Sequence, residues 1–287
     1  MGHEAAGEIT ALGPGVDGWT VGDRVTFDSM LYCGQCADCR ADHTNLCAHR
    51  RVFGVAPADY NQPGAFAEFL NVPARLLYRL PDTLSFEHAA LVEPTAVALH
   101  AIRRAPTKPT DWVVVIGAGL IGLLVIQSLR AADVRNIIAL DLVDHRLAVA
   151  RELGATHTIN SRSGDPTAEV AALTSGHGAD HVFEVVGMEP TLNLAINLAR
   201  RGGHVTLVGN LAPATQRFPL QAVVTREISL LGSCGATPED YHRALELIAS
   251  GAIHATAMIS ATAPLAPQTR PPGGSVGGFT IPNFFSF

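Results

Sequence analysis

The sequence predicts an α/β protein, a doubly wound parallel sheet joined to a second, mostly β unit. Three observations carry that expectation. From about residue 110, apolar runs of strand length alternate with helical patterns. The turn Gly117-Ala118-Gly119-Leu120-Ile121-Gly122 follows one of these runs directly and opens a helix. Residues 1–106 carry instead short apolar runs and turn signals such as Gly13-Pro14-Gly15.

Bulk properties set the outer limits. A chain of 287 residues has room for two domains, and 47% apolar against 16% charged residues suits a packed core. A formal charge of −6 argues against nucleic acid or an anionic membrane surface as partner. The most apolar stretch, Trp112 to Ile126, is broken by three glycines and is too short to cross a bilayer. No basic segment precedes a hydrophobic one in the manner of a secretory signal, so a cytoplasmic protein is expected.

The elements follow in order. A helix is expected from Pro94, since proline is tolerated at a first helical position, ending before the linker Ala105-Pro106-Thr107-Lys108-Pro109. Buried parallel strands are expected at Trp112–Ile116, Ile137–Asp141, His181–Val186, His204–Val208 and Ile228–Leu231, with a sixth at Thr156–Asn160. Between them lie helices at Leu120–Ala131, at Asp144–Leu153 with Gly154 ending it, and from Asp165-Pro166. Thr237-Pro238-Glu239-Asp240 combines a cap, a first-turn proline and acids near the positive helix end. That helix should run to about Ser250. Residues 264–287 hold five prolines and four glycines, and no packed element is expected from about 266. The resulting division is 1–106, 107–236 and 237–287.

The glycine turn points to a dinucleotide. Gly117 permits the tight turn, Gly119 lets the backbone approach a pyrophosphate, and Gly122 permits close helix packing. The helix start at Leu120 and Ile121 then offers unpaired N–H groups to the phosphates. Asp141 ends the second strand, nineteen residues after Gly122. A carboxylate there accepts hydrogen bonds from ribose hydroxyls and repels a 2′-phosphate, which favours NAD over NADP. Arg146 lies five residues on, after a helix start; an arginine there can accept such a phosphate, but a role against the adenine face is favoured. This is a Rossmann-type site.

Four of the five cysteines, Cys33, Cys36, Cys39 and Cys47, fall within fifteen positions. Such crowding points to metal thiolates rather than disulfides. Four soft ligands suit a closed, structural zinc site, with an iron–sulfur cluster as the competing reading. Only Arg40 is basic between the outer cysteines, so a nucleic-acid-binding zinc module is poorly supported. Cys234 stands alone and is expected to be a small buried thiol.

Taken together, these residues resemble the zinc-containing medium-chain alcohol dehydrogenase family, in its polyol (sorbitol-type) or threonine dehydrogenase branch. The likeness runs from Gly2 to about Pro264. It rests on Gly2-His3-Glu4-Ala5-Ala6-Gly7, Gly22-Asp23-Arg24-Val25, the cysteine loop, Gly64-Ala65-Phe66-Ala67-Glu68, Glu93-Pro94-Thr95-Ala96-Val97-Ala98, the glycine turn and Asp141. The resemblance implies a GroES-like catalytic domain around a Rossmann domain, with the chain returning to the first domain at its end. It implies catalytic zinc at His3, Glu4 and Glu93, and NAD contacts at Ile121, Asp141 and Arg146, with Val208 and Gly209 near the nicotinamide. Zinc would lower the pKa of a substrate hydroxyl, and hydride would pass to NAD. Family members are usually dimers or tetramers.

The chain also departs from that pattern. Relatives carry, ahead of Gly-His-Glu, a Cys-Gly-Ser/Thr-Asp motif that supplies a zinc ligand and a proton relay, whereas this sequence starts at Met1-Gly2-His3. Its ending lacks the amphipathic helix and final strand of the family. The expectations are an N-terminally truncated chain with an aberrant tail. The alternative to a working dehydrogenase is an inactive relative that keeps NAD and structural zinc.

Overall fold

Val97–Cys234 forms one unit of the computed structural model, and Met1–Ala96 with Gly235–Phe287 forms the other. The structure describes residues 1–55, 61–210, 215–264 and 281–282. The divisions fall ten and two residues before those read from the sequence at 106 and 236.

The unit that opens the chain is built from short pieces. Strand β1 (Ala6–Glu8) pairs antiparallel with β2 (Arg24–Phe27); β3 (Met30–Leu31) follows, then helix α1 (Ala37–Arg40). β4 (Arg51–Phe53) pairs with β3 and with β5 (Asn61–Gln62), while β6 (Leu77–Arg79) lies against β2. Helix α2 (Phe86–Ala89) then leads to α3 (Val92–Arg104). Phe27, Leu31, Phe53, Ala65 and Leu76 form a small core, with the Phe27 and Phe53 rings edge to face at 5.4 Å. The Gly22-Asp23-Arg24 segment is a clasp. Arg24 donates to the carbonyls of Pro81, Asp82 and Leu84, and its guanidinium lies 4.5 Å over the Phe86 ring. Asp23 pairs with Arg79 at 2.5 Å. Helix α3 begins two residues before Pro94. Proline is still at home there, because the N–H groups of a helix's first turn have no intrahelical acceptor to lose.

The middle unit is the parallel sheet. Its strands are β7 (Trp112–Ile116), β8 (Asn136–Asp141), β9 (His157–Asn160), β10 (Ala179–Glu184), β11 (Ala199–Leu207) and β12 (Ser229–Gly232), in the order β12-β11-β10-β7-β8-β9. Between them run α4 (Leu120–Ala131), α5 (Asp144–Glu152), α6 (Pro166–Leu173), α7 (Glu189–Leu198) and α8 (Leu220–Thr225). Val114, Ile138, Leu140, Val182, Ile196 and Val205 are among the buried residues of its core. The strand order reverses between β7 and β10, and in sheets of this kind ligands bind at such a switch point, outside the carboxyl ends of the strands. β11 starts five residues earlier than expected. The register shifts between Ala179 and His181, so Ala199 pairs before His204 does, and the Arg200–Gly203 stretch bulges between them.

The chain then returns to the first unit. Helix α9 (Pro238–Ala249) is capped by Thr237, whose N–H and hydroxyl both donate to Asp240 at 2.9 Å. Tyr241 of α9 stacks on Tyr78 of β6 with ring centroids 4.9 Å apart. Strand β13 (Thr262–Ala263) pairs antiparallel with β14 (Ile281–Pro282), a regular element within the tail. The other residues from 265, on which the expectation of an irregular ending falls, lie outside the described residues. Cys234 is half-buried rather than fully buried.

Candidate active site and cofactor sites

His3 and Glu4 sit beside the first residues of the chain, where side chains are ordinarily frayed. Here the main chain around them is tied down. The N–H groups of Ala65 and Phe66 donate to the carbonyls of Gly2 and Met1 at 2.8 and 2.9 Å. Gly2 has φ +89°, and a Cβ on it would meet the Phe66 ring at 2.5 Å. Cβ atoms on Gly54 or Gly64 would strike the backbone of Met1 and Gly2. The Gly64-Ala65-Phe66 segment is therefore the clamp that holds Gly-His-Glu in place.

Glu93, in the first turn of α3, meets that segment. One ligand atom from each of His3, Glu4 and Glu93 lies within 4.8 Å of the others. Burial pushes both carboxyls up to about 7; proximity to Glu93 adds to the rise at Glu4, which His3 opposes, and a hydrogen bond from Ser29 opposes it at Glu93. Two acids crowded out of water need a proton or a cation between them. The donor set, one imidazole and two carboxylates, suits zinc with positions left open for a substrate.

The residues that hold Glu93 are not among those the sequence analysis singles out. Ser29 Oγ donates to Glu93 Oε1 at 2.9 Å, and the Ser29 N–H donates to Tyr241 Oη at 3.3 Å. Asp28, also buried, accepts the Met30 N–H at 2.8 Å. Its carboxyl is pushed up to about 7 by burial. A polar Asp-Ser pair interrupting the apolar residues of β2 and β3 was the available signal.

The cysteine loop converges as well, with all four sulfurs within 4.8 Å of one another and Cys33 Sγ 3.9 Å from Cys39 Sγ. Ligands at the zinc–thiolate bond length stand about 3.8 Å apart at the corners of a tetrahedron. Backbone N–H groups of Gln35 and Cys36 point at Cys33 Sγ, and those of Cys33 and His49 at Cys47 Sγ. Hydrogen bonds from Cys39 and Ala48 draw Cys36 down to about 6, while burial and the neighbouring thiols push Cys39 up to about 12. A divalent ion that binds all four as thiolates overrides that split.

The predicted cofactor residues gather in the other unit at the switch point. Gly117 has φ +103°, and a Cβ there would meet Val186 at 2.9 Å; one on Gly122 would strike the Gly117 carbonyl. Gly119 faces open space and is the N-cap of α4 with no side-chain hydrogen bond, and the first-turn N–H groups at Leu120 and Ile121 have no intrahelical acceptor. Asp141 accepts the Ala118 N–H at 2.8 Å and those of Leu142 and Val143 at 2.7 and 3.0 Å. Arg146 lies 3.9 Å from Asp141. Val208 and Gly209 leave the end of β11, and their N–H groups donate to the Glu184 carbonyl. Glu184 is not among the residues singled out by the sequence. Its buried carboxylate accepts the N–H groups of Val186 and Gly187, so it ties off the β10 end of the crevice. An acid ending an apolar strand before Val-Val-Gly was the clue.

Comparison with known proteins places these sites in context. A family model described as the alcohol dehydrogenase GroES-like domain matches residues 1–82, and one described as zinc-binding dehydrogenase matches 121–250. The chain is 34% identical to a sorbitol dehydrogenase of Bacillus subtilis (strain 168) over 255 residues, 88% of this chain and 70% of that protein. Among solved structures it is similar to an alcohol dehydrogenase from Thermus sp. ATN1, with a TM-score of 0.85, 33% identity, and 91% and 76% of the two chains covered. A zinc-binding dehydrogenase from Sinorhizobium meliloti 1021, solved with NADP, aligns with a TM-score of 0.83 and 32% identity over 90% and 75% of the two chains.

Proposed function

This chain belongs to the zinc-containing medium-chain alcohol and polyol dehydrogenase family, and from that premise we propose that His3, Glu4 and Glu93 hold its catalytic zinc. It is an oxidoreductase that moves a hydride from a secondary alcohol or polyol to a nicotinamide dinucleotide. The observation that carries the zinc assignment is the convergence of one imidazole and two crowded, buried-side carboxyls within 4.8 Å.

When bound, zinc would supply Lewis acidity toward a substrate hydroxyl, and the nicotinamide would supply the hydride acceptor. The residues of this chain do the rest. His3, Glu4 and Glu93 would hold the metal. Asp141 receives the ribose hydroxyls and disfavours a 2′-phosphate, so NAD is the preferred dinucleotide. Gly117, Gly119, Leu120, Ile121 and Gly122 cradle the pyrophosphate, Arg146 borders the adenine, and Val208 and Gly209 flank the nicotinamide half. Cys33, Cys36, Cys39 and Cys47 hold a second, structural zinc.

The substrate is a small molecule, and the likeness to a sorbitol dehydrogenase favours polyols. No helix among the described residues is long and apolar enough to cross a membrane. Four clustered free thiols suit a reducing compartment such as the cytoplasm. A homo-oligomer, dimer or tetramer, is the assembly we favour; Leu220 and Val224 on α8 are more than 60% exposed. The non-catalytic alternative is disfavoured, because the matched relatives are dehydrogenases over 70% or more of their length in the sorbitol enzyme and the Thermus structure.

The test is zinc content and turnover on one sample of the purified chain, with NAD and a panel of polyols and secondary alcohols. Two zinc ions per chain and NADH formation are expected. A single zinc with no turnover across the panel would sink the assignment of His3, Glu4 and Glu93.

A further inference from the structure

We propose that Ser29, braced by Tyr241 and Asp28, is a positioning residue that fixes Glu93 for the metal. The inference rests on the assignment of His3, Glu4 and Glu93 above and adds residues that assignment does not contain.

The case is one of restricted freedom. Both main-chain groups of Ser29 are pinned. Its N–H donates to Tyr241 Oη at 3.3 Å, and its carbonyl accepts the Phe53 N–H at 3.0 Å. On either side, the Asp28 N–H donates to the Leu76 carbonyl at 2.8 Å and the Met30 N–H to Asp28 Oδ1 at 2.8 Å. Only the Ser29 side-chain torsions remain to turn, and the hydroxyl is spent on Glu93 Oε1 at 2.9 Å. Ser29, Asp28, Glu93 and Tyr241 are 2%, 1%, 7% and 1% exposed, so water does not compete for these groups.

A carboxylate with one oxygen held by a fixed donor presents its remaining lone pairs in one orientation. That is what a metal ligand needs, and outer-shell partners of this kind typically contribute 10–100-fold in metal affinity. Tyr241 belongs to α9 and stacks on Tyr78, so the brace is part of a packed ring pair and not a loose side chain.

The experiment titrates the full metal-stripped chain with cobalt(II) and reads its absorption spectrum. Thiolate-to-cobalt charge transfer reports the cysteine loop and serves as an internal control for folding. A second cobalt without thiolate bands reports His3, Glu4 and Glu93. If the wild-type chain shows no such second ion, the underlying metal assignment fails. If it does, Ser29→Ala should weaken that ion by about 10–100-fold and shift its ligand-field bands, with the thiolate band unchanged. Ser29→Thr, which keeps the hydroxyl, should restore affinity to within about threefold, the scatter below the effect expected of such partners. Tyr241→Phe keeps the stacked ring, removes the brace, and should weaken the same ion by less than Ser29→Ala. Wild-type affinity and spectrum in both Ser29→Ala and Tyr241→Phe would overturn the proposal.

Discussion

The four thiols of the cysteine loop come from fifteen consecutive positions, whereas His3, Glu4 and Glu93 meet across ninety residues of chain. Both sets lie in the same unit, yet they are held by different means. The loop is shaped by its own turns, with local N–H groups directed at its sulfurs. The other set depends on glycine backbones packed against Met1 and Gly2, and on Ser29 reaching Glu93. The loop offers four soft ligands, a set suited to closing around an ion; the other group offers three harder ones, a set suited to leaving a position open. A structural site can be local because its task ends once the ion is enclosed. A catalytic site must also face a substrate, and the fold has to assemble it.

The sharpest way to break this contrast is Cys47→Ser. Structural zinc is worth on the order of 10 kcal/mol in small zinc modules, so one zinc should be lost together with a large fall in melting temperature. Elemental analysis and a thermal melt read both. Retention of full zinc content would mean the loop is not a closed site. Next comes Glu93→Gln, expected to weaken only the other ion, by on the order of 100-fold or more, while the thiolate-bound ion stays. Loss of both ions together would show that the two sites are not independent.

A pH series sharpens the comparison further. Glu4 and Glu93 are raised from 4.5 to about 7 in the folded chain without metal. Between those values the folded state holds protons that the unfolded state has released. Stability of the stripped protein is therefore greatest below pH 4.5 as far as these groups are concerned, and it falls as pH rises through 7. Melting of the stripped chain should drop by roughly 5 °C or more from pH 5 to pH 8. Zinc should reverse the trend. A flat profile would contradict the crowding of the two acids. The smallest effect belongs to the other unit: Asp141→Asn should raise the KM for NAD by about 10–100-fold and relax discrimination against NADP, leaving metal content untouched.

What the sequence made legible follows the same division between local and distant. Strand β7 and helix α4 span the residues the sequence predicts, because a buried parallel strand and a glycine-bounded helix declare themselves within a dozen positions. The cap of α9 at Thr237 was equally plain. The small strands of the first unit were not, since two to four residues carry no period. Residue chemistry alone made His3 and Glu4 an unremarkable chain terminus; only the resemblance singled them out. Ser29, Asp28 and Tyr241 had no signal beyond polar residues at apolar positions, and their partners lie 64 and 212 residues away.

That last separation has a temporal side. At about 5–20 residues per second, a ribosome needs roughly 10–40 s to travel from Ser29 to Tyr241. Val97–Cys234 is contiguous and can fold as soon as it has emerged. The unit bearing His3, Glu4 and Glu93 must wait for the segment that begins at Gly235. During that interval Ser29 exists without its brace, and the proposed metal ligands His3 and Glu4 are present before the arrangement that orients Glu93. The cysteine loop is complete by residue 47, so its ion can be captured early. Under the proposed assignment of two metals, the order of their loading would follow the direction of synthesis itself.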